Sequence, residues 1–427
     1  MSTTIIRNGR VIDPSNKRDE IADLYIVEGG IAEKSDVRDP KSNVEEIDAK
    51  GLIVAPGLID MHVHLREPGF SHKETIESGA RAAAAGGFTT IVCMPNTSPV
   101  PDNPSTIAWI KDRASAIARV NVLPTGAISK NLAGEELAPI GSLAEAGVVA
   151  ITDDGHCIQN HEVMRRAVEY ARMVDVPVLD HCQDYNLVGN GVAHEGYWST
   201  LLGLPGWPAA GEEAIVMRNI LLAELCDHPI HCQHLTAAGS VRLLREARRR
   251  GVKISGEVCP HHIALTDEAI QNFDTNYKVN PPLRSQTDVD ALLEGIADGT
   301  LSILCSDHAP HADFEKEVEF DVAPFGIIGL ETELGLFIDL LVHKHAKIDI
   351  VRLIEMYTIE PARLLKLDAG TLSPGARADV TLVDPALEWS VSVDQFHSAS
   401  RNSPFDGWKL KGRAVRTIVS GKTAWKL

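Results

Sequence analysis

From about residue 53 to residue 307 the chain repeats one pattern, a short apolar run followed by a stretch with helical spacing of its apolar positions. The runs are LIVAPGLIDM, FTTIVCMP, VNVLPTG, VVAIT, VPVLDHC, PIHCQHL, VKISGEVCP and LSILCSD. Each is apolar at nearly consecutive positions and too short for an average helix, as parallel strands covered on both faces should be. Helices are predicted between them, among others over residues 71–85, 161–174, 212–226 and 239–250, the last with basic residues where the helix dipole favours them. Eight strands with intervening helices predict a (β/α)8 barrel over residues 55–365. A doubly wound open sheet is the alternative, but it usually has fewer strands, and no GxGxxG follows the first run.

The two ends follow a different pattern. TTIIRNGRVIDP and ADLYIVEGGIAEK alternate apolar and polar positions and turn at Gly, Asn and Pro; ADVTLVDP, EWSVS and RAVRTIVSGKTAWKL do the same after a last predicted helix over residues 351–365. Neither set can easily form a core alone. Residues 1–54 and 366–427 are therefore predicted to pack together as one small composite β-sandwich domain beside the barrel.

Composition narrows the functional classes. With 44% hydrophobic and 23% charged residues and no long polar tract, the 427-residue chain is that of a folded globular protein. Its formal charge of -18 argues against a nucleic acid or an anionic membrane surface as main partner, while a local arginine still permits a small anionic substrate. The seven cysteines include no CxxC pair and sit mostly in apolar runs, which predicts reduced, buried thiols. No targeting or membrane-spanning pattern is present, so a soluble cytoplasmic protein is expected.

Polar residues collect where the predicted strands end, and that is where a barrel places its chemistry. They are His62 and His64 after the first run, Asn96 after the second, Asp153 and Asp154 after the fourth and His181 after the fifth. His234 follows the sixth, His261 and His262 the seventh, and Asp307 and His308 the eighth. In an extended segment His62 and His64 point to one side, so one ion can bind both imidazoles. Nitrogen and oxygen donors without thiolate suit zinc, with manganese or cobalt as alternatives, and the supply is enough for two ions if one carboxylate bridges them. Asp154 is the chosen candidate of its pair, because it directly precedes Gly155, with Asp153 either supporting the site from behind or capping backbone. Arg66 is placed to fix a substrate carboxylate, against a local alternative of a surface ion pair with Glu67. Asn96 is read as a substrate clamp or a turn residue, and only one of His308 and His311 need face the substrate. Asn280 to Arg284 would lie on the catalytic rim if the connection bends back, and the turn at Phe325 and Gly326 either offers exposed amides to an anion or is a helix entry without function. His261 and His262 are read chiefly as packing or hydrogen-bonding residues.

The motifs DMHVHLREPG, MPNT, TDDG, DHC, QHLT, CPHH, NPPLR and SDHAPH closely resemble the dihydroorotases of the amidohydrolase superfamily, in their long bacterial type I class. The resemblance runs from Ile6 to Leu427. It implies reversible interconversion of N-carbamoyl-L-aspartate and (S)-dihydroorotate, the third step of de novo pyrimidine synthesis. It also implies that His62, His64 and Asp307 hold one zinc, that His181 and His234 hold a second, and that Asp154 bridges them; one or two ions per subunit are described for the class, and two are expected here. Substrate would lie against His64, Arg66, Asn96, Asn280, His311, Phe325 and Gly326. Hydroxide generated at the metal centre would attack the ring amide, and Asp307 would carry the proton as the catalytic residue. From the family alone come the expectations of self-association and of a complex with aspartate transcarbamoylase.

Two rival readings follow from the same resemblance. Dihydropyrimidinases, hydantoinases and allantoinases generally bridge their metals with a carboxylated lysine, and this chain has no lysine between Lys130 and Lys253. A non-catalytic homologue serving mainly as an assembly partner would have lost metal ligands, whereas all six candidates are present.

Overall fold

The computed structural model describes residues 2–36 and 44–427; the parts of the predicted N-terminal β segment at residues 1 and 37–43 lie outside the described residues. Leu58–Val63, Phe88–Cys93 and Asn121–Pro124 pair in parallel, in that order. Val178–Asp180, Ile230–Cys232, Ile254–Val258 and Ile303–Leu304 form a second parallel series. Ile151 joins the two by single parallel bridges to Gly126 and Val178, and a bridge from Val63 to His308 closes the ring. The eight members are the eight predicted runs. VVAIT contributes only a bridge because Pro124 and Pro177, on the neighbouring segments, have no N–H to offer a longer ladder.

Helices fill the intervals. Ile76–Gly86 starts five residues later than predicted, because Thr75 is extended and accepts the Ser78 N–H in a capping box. His161–Met173, Ala210–Cys226 and Ala238–Arg249 lie within two residues of their predicted bounds. The single helix expected over 351–365 is two, Ile350–Tyr357 and Ile359–Leu365, broken at Thr358. Pro361 cannot donate to the Tyr357 carbonyl, and its ring would crowd that group.

The termini build one mixed sheet of eight strands. Its path runs Lys422–Lys426, Lys409–Val419, Val380–Ser390, Ile53–Pro56, Thr3–Asp13, Arg18–Val27, Gly30–Ala32, with Val44–Asp48 also paired to Thr3–Asp13. The two halves join where Ile53 to Pro56 runs antiparallel to Val383 to Val380. This layer has its own apolar cluster, including Ile6, Val11, Leu24, Val54, Val380, Leu382 and Ile418. The first apolar run is thus shared: Ile53–Pro56 belongs to the terminal sheet and Leu58–Val63 to the barrel. Gly57 lies between them, and a Cβ there would meet the Thr89 hydroxyl at 2.0 Å, so the crossing passes too close to its neighbour for any side chain. The strands predicted as ADVTLVDP and EWSVS are one, Val380–Ser390, with its register broken between Asp384 and Glu388 around Pro385. All seven cysteines are free and buried. No helix among the described residues is long and apolar enough to cross a membrane.

Candidate active site

Parallel strands share one carboxyl-terminal rim, and the predicted histidines and aspartates meet there. His62 Nε2 and His64 Nε2 each lie 3.4 Å from Asp154 Oδ2, and 3.5 and 3.1 Å from Asp307 Oδ1. On the other side, His181 Nδ1 and His234 Nε2 are each 3.5 Å from Asp154 Oδ1 and 2.8 Å from one another. Asp154 therefore stands between two pairs of imidazoles and turns one oxygen to each.

The imidazoles are oriented from behind. His62 Nδ1 meets Glu257 Oε1 at 2.6 Å, and the other Glu257 oxygen lies 3.1 Å from His231 Nε2. His64 Nδ1 donates to Asn96 Oδ1 at 2.9 Å, and His181 Nε2 to Gln183 Oε1 at 2.9 Å. A ring that donates outward through one nitrogen presents a lone pair through the other, so these contacts aim lone pairs at the centre of the cluster. Two atoms buried there, His62 Nε2 and Asp154 Oδ1, have no hydrogen-bond partner among the described residues. Buried polar atoms are rarely left so, and a cation would satisfy both. Imidazole nitrogens and carboxylate oxygens are donors that zinc, manganese and cobalt accept, so the residues fit a divalent metal centre.

Electrostatics agree with this arrangement. Against burial, the carboxylates raise His62 well above the ordinary imidazole range and also raise His181. The His62 charge in turn, also against burial, holds Asp154 and Asp307 well below the usual carboxylate range, a cationic role that a bound metal would take over and so free the imidazole lone pairs. His64 is pulled down by burial and by Arg66. Arg66, His234 and Asp307 also adopt left-handed backbone, with φ of 61°, 34° and 47°, a conformation that costs about 1–3 kcal/mol each and is concentrated at sites of this kind.

Above the cluster is a cavity of about 350 Å³, lined by His64, Asp154, His181, His234 and Asp307 together with Arg66, Asn96, Asn280, His311, Phe325 and Gly326. Of the residues predicted for the site only His62 stays behind the wall, fully buried. Arg66 is buried; its Nε donates to the Pro310 carbonyl at 3.1 Å and its Nη2 lies 3.4 Å from His311 Nε2. The surface ion pair with Glu67 does not form: Glu67 pairs with Arg113 at 3.2 Å and accepts the Ile76 N–H. Burial brings the Arg66 guanidinium down to about 10. Asn280 donates through Nδ2 to Gln183 Oε1 at 3.0 Å, and its buried Oδ1 is unpartnered.

Other candidates are drawn away from the cavity. His308 turns to Glu74 at 3.2 Å, so His311 is the member of that pair facing inward. Asp153 accepts the N–H groups of Ile128 and Ser129, the backbone-capping alternative of the two roles expected for it. His262 donates to the Pro281 carbonyl at 3.0 Å and packs against His261, away from the cavity wall. Glu257 and Gln183 were missed by sequence reasoning. A glutamate inside the doubly covered run VKISGEVCP was itself a signal, since a carboxylate buried in such a strand needs a partner.

A closed barrel with imidazoles and carboxylates gathered at its rim is an arrangement suited to metal-dependent hydrolysis, and the Amidohydrolase family profile, matching residues 210–424, gives the class. The profile described as Dihydro-orotase-like matches residues 51–239. Dihydroorotases from Citrifermentans bemidjiense and Pelotomaculum thermopropionicum are 49% and 51% identical over 422 and 418 residues, covering 99% and 98% of this chain and 99% and 97% of theirs. The chain belongs to the dihydroorotase family. Among solved structures, the L-hydantoinase (dihydropyrimidinase) of Arthrobacter aurescens superposes with a TM-score of 0.89 at 24% identity, covering 100% of this chain and 96% of its own. The dihydropyrimidinase of Brevibacillus agri gives 0.86 at 25%, covering 99% and 95%. These two share the fold.

Proposed function

We propose that this chain catalyses the reversible cyclisation of N-carbamoyl-L-aspartate to (S)-dihydroorotate and water in pyrimidine biosynthesis. The observation that carries the reading is the division of the Asp154 oxygens between two histidine pairs beneath a cavity whose wall holds a buried arginine that forms no ion pair with a carboxylate among the described residues. His62, His64 and Asp307 would hold one ion and His181 and His234 a second, with Asp154 shared; zinc is the expected metal. Such a pair, when bound, supplies Lewis acidity and lowers the pKa of a water molecule toward neutrality.

The chain's own residues account for binding and for the proton. Arg66 would receive the α-carboxylate of the substrate, the charge that a neutral cyclic amide lacks. Burial, with Arg66, Lys73 and Lys316 nearby, holds His311 down to about 2, so it meets the ring as a neutral hydrogen-bonding group. Asn96, Asn280 and the turn at Phe325 and Gly326 would complete the frame, but not through the Gly326 amide expected to face an anion, since that N–H donates to the Lys278 carbonyl at 2.9 Å. Asp307, kept ionised by its histidines, would accept a proton from the attacking water and deliver it to the departing ring nitrogen. In the cyclising direction it would take the proton of the carbamoyl nitrogen as that nitrogen attacks the side-chain carboxyl carbon.

The divisions at residues 1–54, 55–365 and 366–427 rest on the change of pattern along the chain, a cytoplasmic location on its cysteines and lack of a targeting pattern, and self-association and association with aspartate transcarbamoylase on the family; all belong to the same reading. Size measurement of the protein alone and mixed with aspartate transcarbamoylase checks the last two. The substrate assignment is tested by comparing turnover of dihydroorotate, dihydrouracil, hydantoin and allantoin by one purified sample. Dihydroorotate should be strongly preferred. Preference for a neutral ring would overturn the reading.

A further inference from the structure

Two lysines lie beside the substrate turn without a carboxylate partner among the described residues. Lys316 is 6% exposed, and its Nζ donates to the carbonyls of Pro324 and Gly326 at 2.9 and 3.1 Å. Lys278 Nζ donates to the Asp321 carbonyl at 3.0 Å and sits 4.6 Å above the Phe325 ring. Between the two Lys316 acceptors, the Phe325 carbonyl is taken by His311 Nε2 at 2.8 Å. Asn402 adds a second donor to the Gly326 carbonyl at 3.1 Å, and its Oδ1 accepts the His311 N–H. Three consecutive carbonyls of the turn are thus each held by a side chain, two of them by one ammonium.

That arrangement is a poor way to gain stability. A buried ammonium without a counter-charge is costly, and an apolar side chain of the same length would pack in its place. Burial brings Lys316 down to about 7, which reflects how little compensates its charge. What the ammonium does supply is geometry. Gly326 has φ +124°, and a Cβ there would lie 2.6 Å from the Ala309 Cβ, so the turn passes close against the wall in a backbone state that side chains disfavour. A turn so placed needs its carbonyls drawn to one side if its other side is to face the cavity.

We propose that Lys316 is a positioning residue for substrate binding, acting through the Pro324 and Gly326 carbonyls to hold the turn that touches the ring. The inference rests on the reading that Phe325 and Gly326 contact substrate. It predicts a defect in KM rather than in kcat or in metal content. The test compares Lys316→Met, which keeps the length and removes the cation, with Lys316→Arg, which restores a donor, both in the full-length metal-loaded enzyme.

Lys316→Met should raise KM for dihydroorotate by about tenfold or more, with kcat changed less than about threefold. Metal content should stay that of the wild type, and Lys316→Arg should recover part of the KM. Wild-type KM in folded Lys316→Met, or no recovery in Lys316→Arg, would overturn the inference. If Lys316→Met does not fold, Lys316→Gln decides: its shorter side chain cannot reach both the Pro324 and Gly326 carbonyls, so KM should rise about threefold or more, and an unchanged KM overturns the proposal. A wild type that prefers a neutral ring refutes the substrate assignment instead, and the same KM comparison is then made on that ring.

Discussion

Replacing Arg66 with methionine tests how the cavity recognises its substrate. The guanidinium is buried, and among the described residues its hydrogen-bond contacts are the Pro310 carbonyl and His311 and no carboxylate forms an ion pair with it. Its fall from 12.5 to about 10 corresponds to about 3 kcal/mol held against the cation by burial. A substrate carboxylate arriving in the cavity offsets that cost and gains charge-assisted hydrogen bonds. In Arg66→Met the same carboxylate is desolvated without a partner, a loss of about 2–5 kcal/mol for a buried charge pair, or roughly 30- to 5,000-fold in kcat/KM. Steady-state ring opening of dihydroorotate reads the loss, with metal analysis and thermal melting on the same preparation. Metal content should be unchanged, because Arg66 makes no hydrogen bond to the clustered histidines or aspartates. The melting temperature should hold or rise, since burial outweighs the attraction of Asp307, Asp154, Glu315 and Glu74 and the net effect disfavours the cation. Retention of kcat/KM within about threefold would refute the role of Arg66 in substrate recognition.

Glu257→Gln should loosen the metal centre while leaving the fold in place. The carboxylate orients His62 from 2.6 Å and binds His231, and loss of such a partner weakens metal binding about 10- to 100-fold, as competition with a chelator would measure. His311 gives a pH prediction. Its imidazole stays neutral when folded, down to about 2, but titrates near 6.5 when unfolded, so the unfolded chain binds the extra proton as pH falls through 6.5. Stability is lost in that direction, by about 2 kcal/mol at pH 5, and His311→Gln should flatten that part of the acid limb in denaturant titrations. An identical limb in the variant would show that His311 titrates freely.

The strand-end residues were legible because a parallel barrel carries its chemistry in a simple code: apolar run, then polar residue, then turn. His62, His64, His181, His234 and Asp307 follow that code. Asp154 did too, although its strand contributes only the Ile151 bridge, because the prolines that shorten the ladder leave the order of the segments intact. Less visible were features set by packing between distant segments. LIVAPGLIDM reads as one strand, yet the chain changes sheets at Gly57, for a reason that lies in Thr89, 32 residues away. The break at Thr358 was foreshadowed by Pro361, since a proline four residues beyond a carbonyl cannot continue the helix. Arg66 looked locally like half of an ion pair with Glu67, and only the fold shows Glu67 engaged by Arg113, from the helix Pro104–Ile117. Glu257 was hidden by the opposite error, as one charge inside a run read for its apolar neighbours.

The central claim is that Asp154 joins two metal positions, one oxygen to each histidine pair. Metal content measured together with dihydroorotate turnover, on the wild type and on Asp154→Ala, tests it most directly. The wild type should hold up to two ions per chain and be active. The variant should lose at least one of them, and kcat/KM should fall by at least about 1,000-fold, as expected when a group shared by the whole centre is removed. An Asp154→Ala protein that keeps its full metal complement and wild-type turnover would contradict the account.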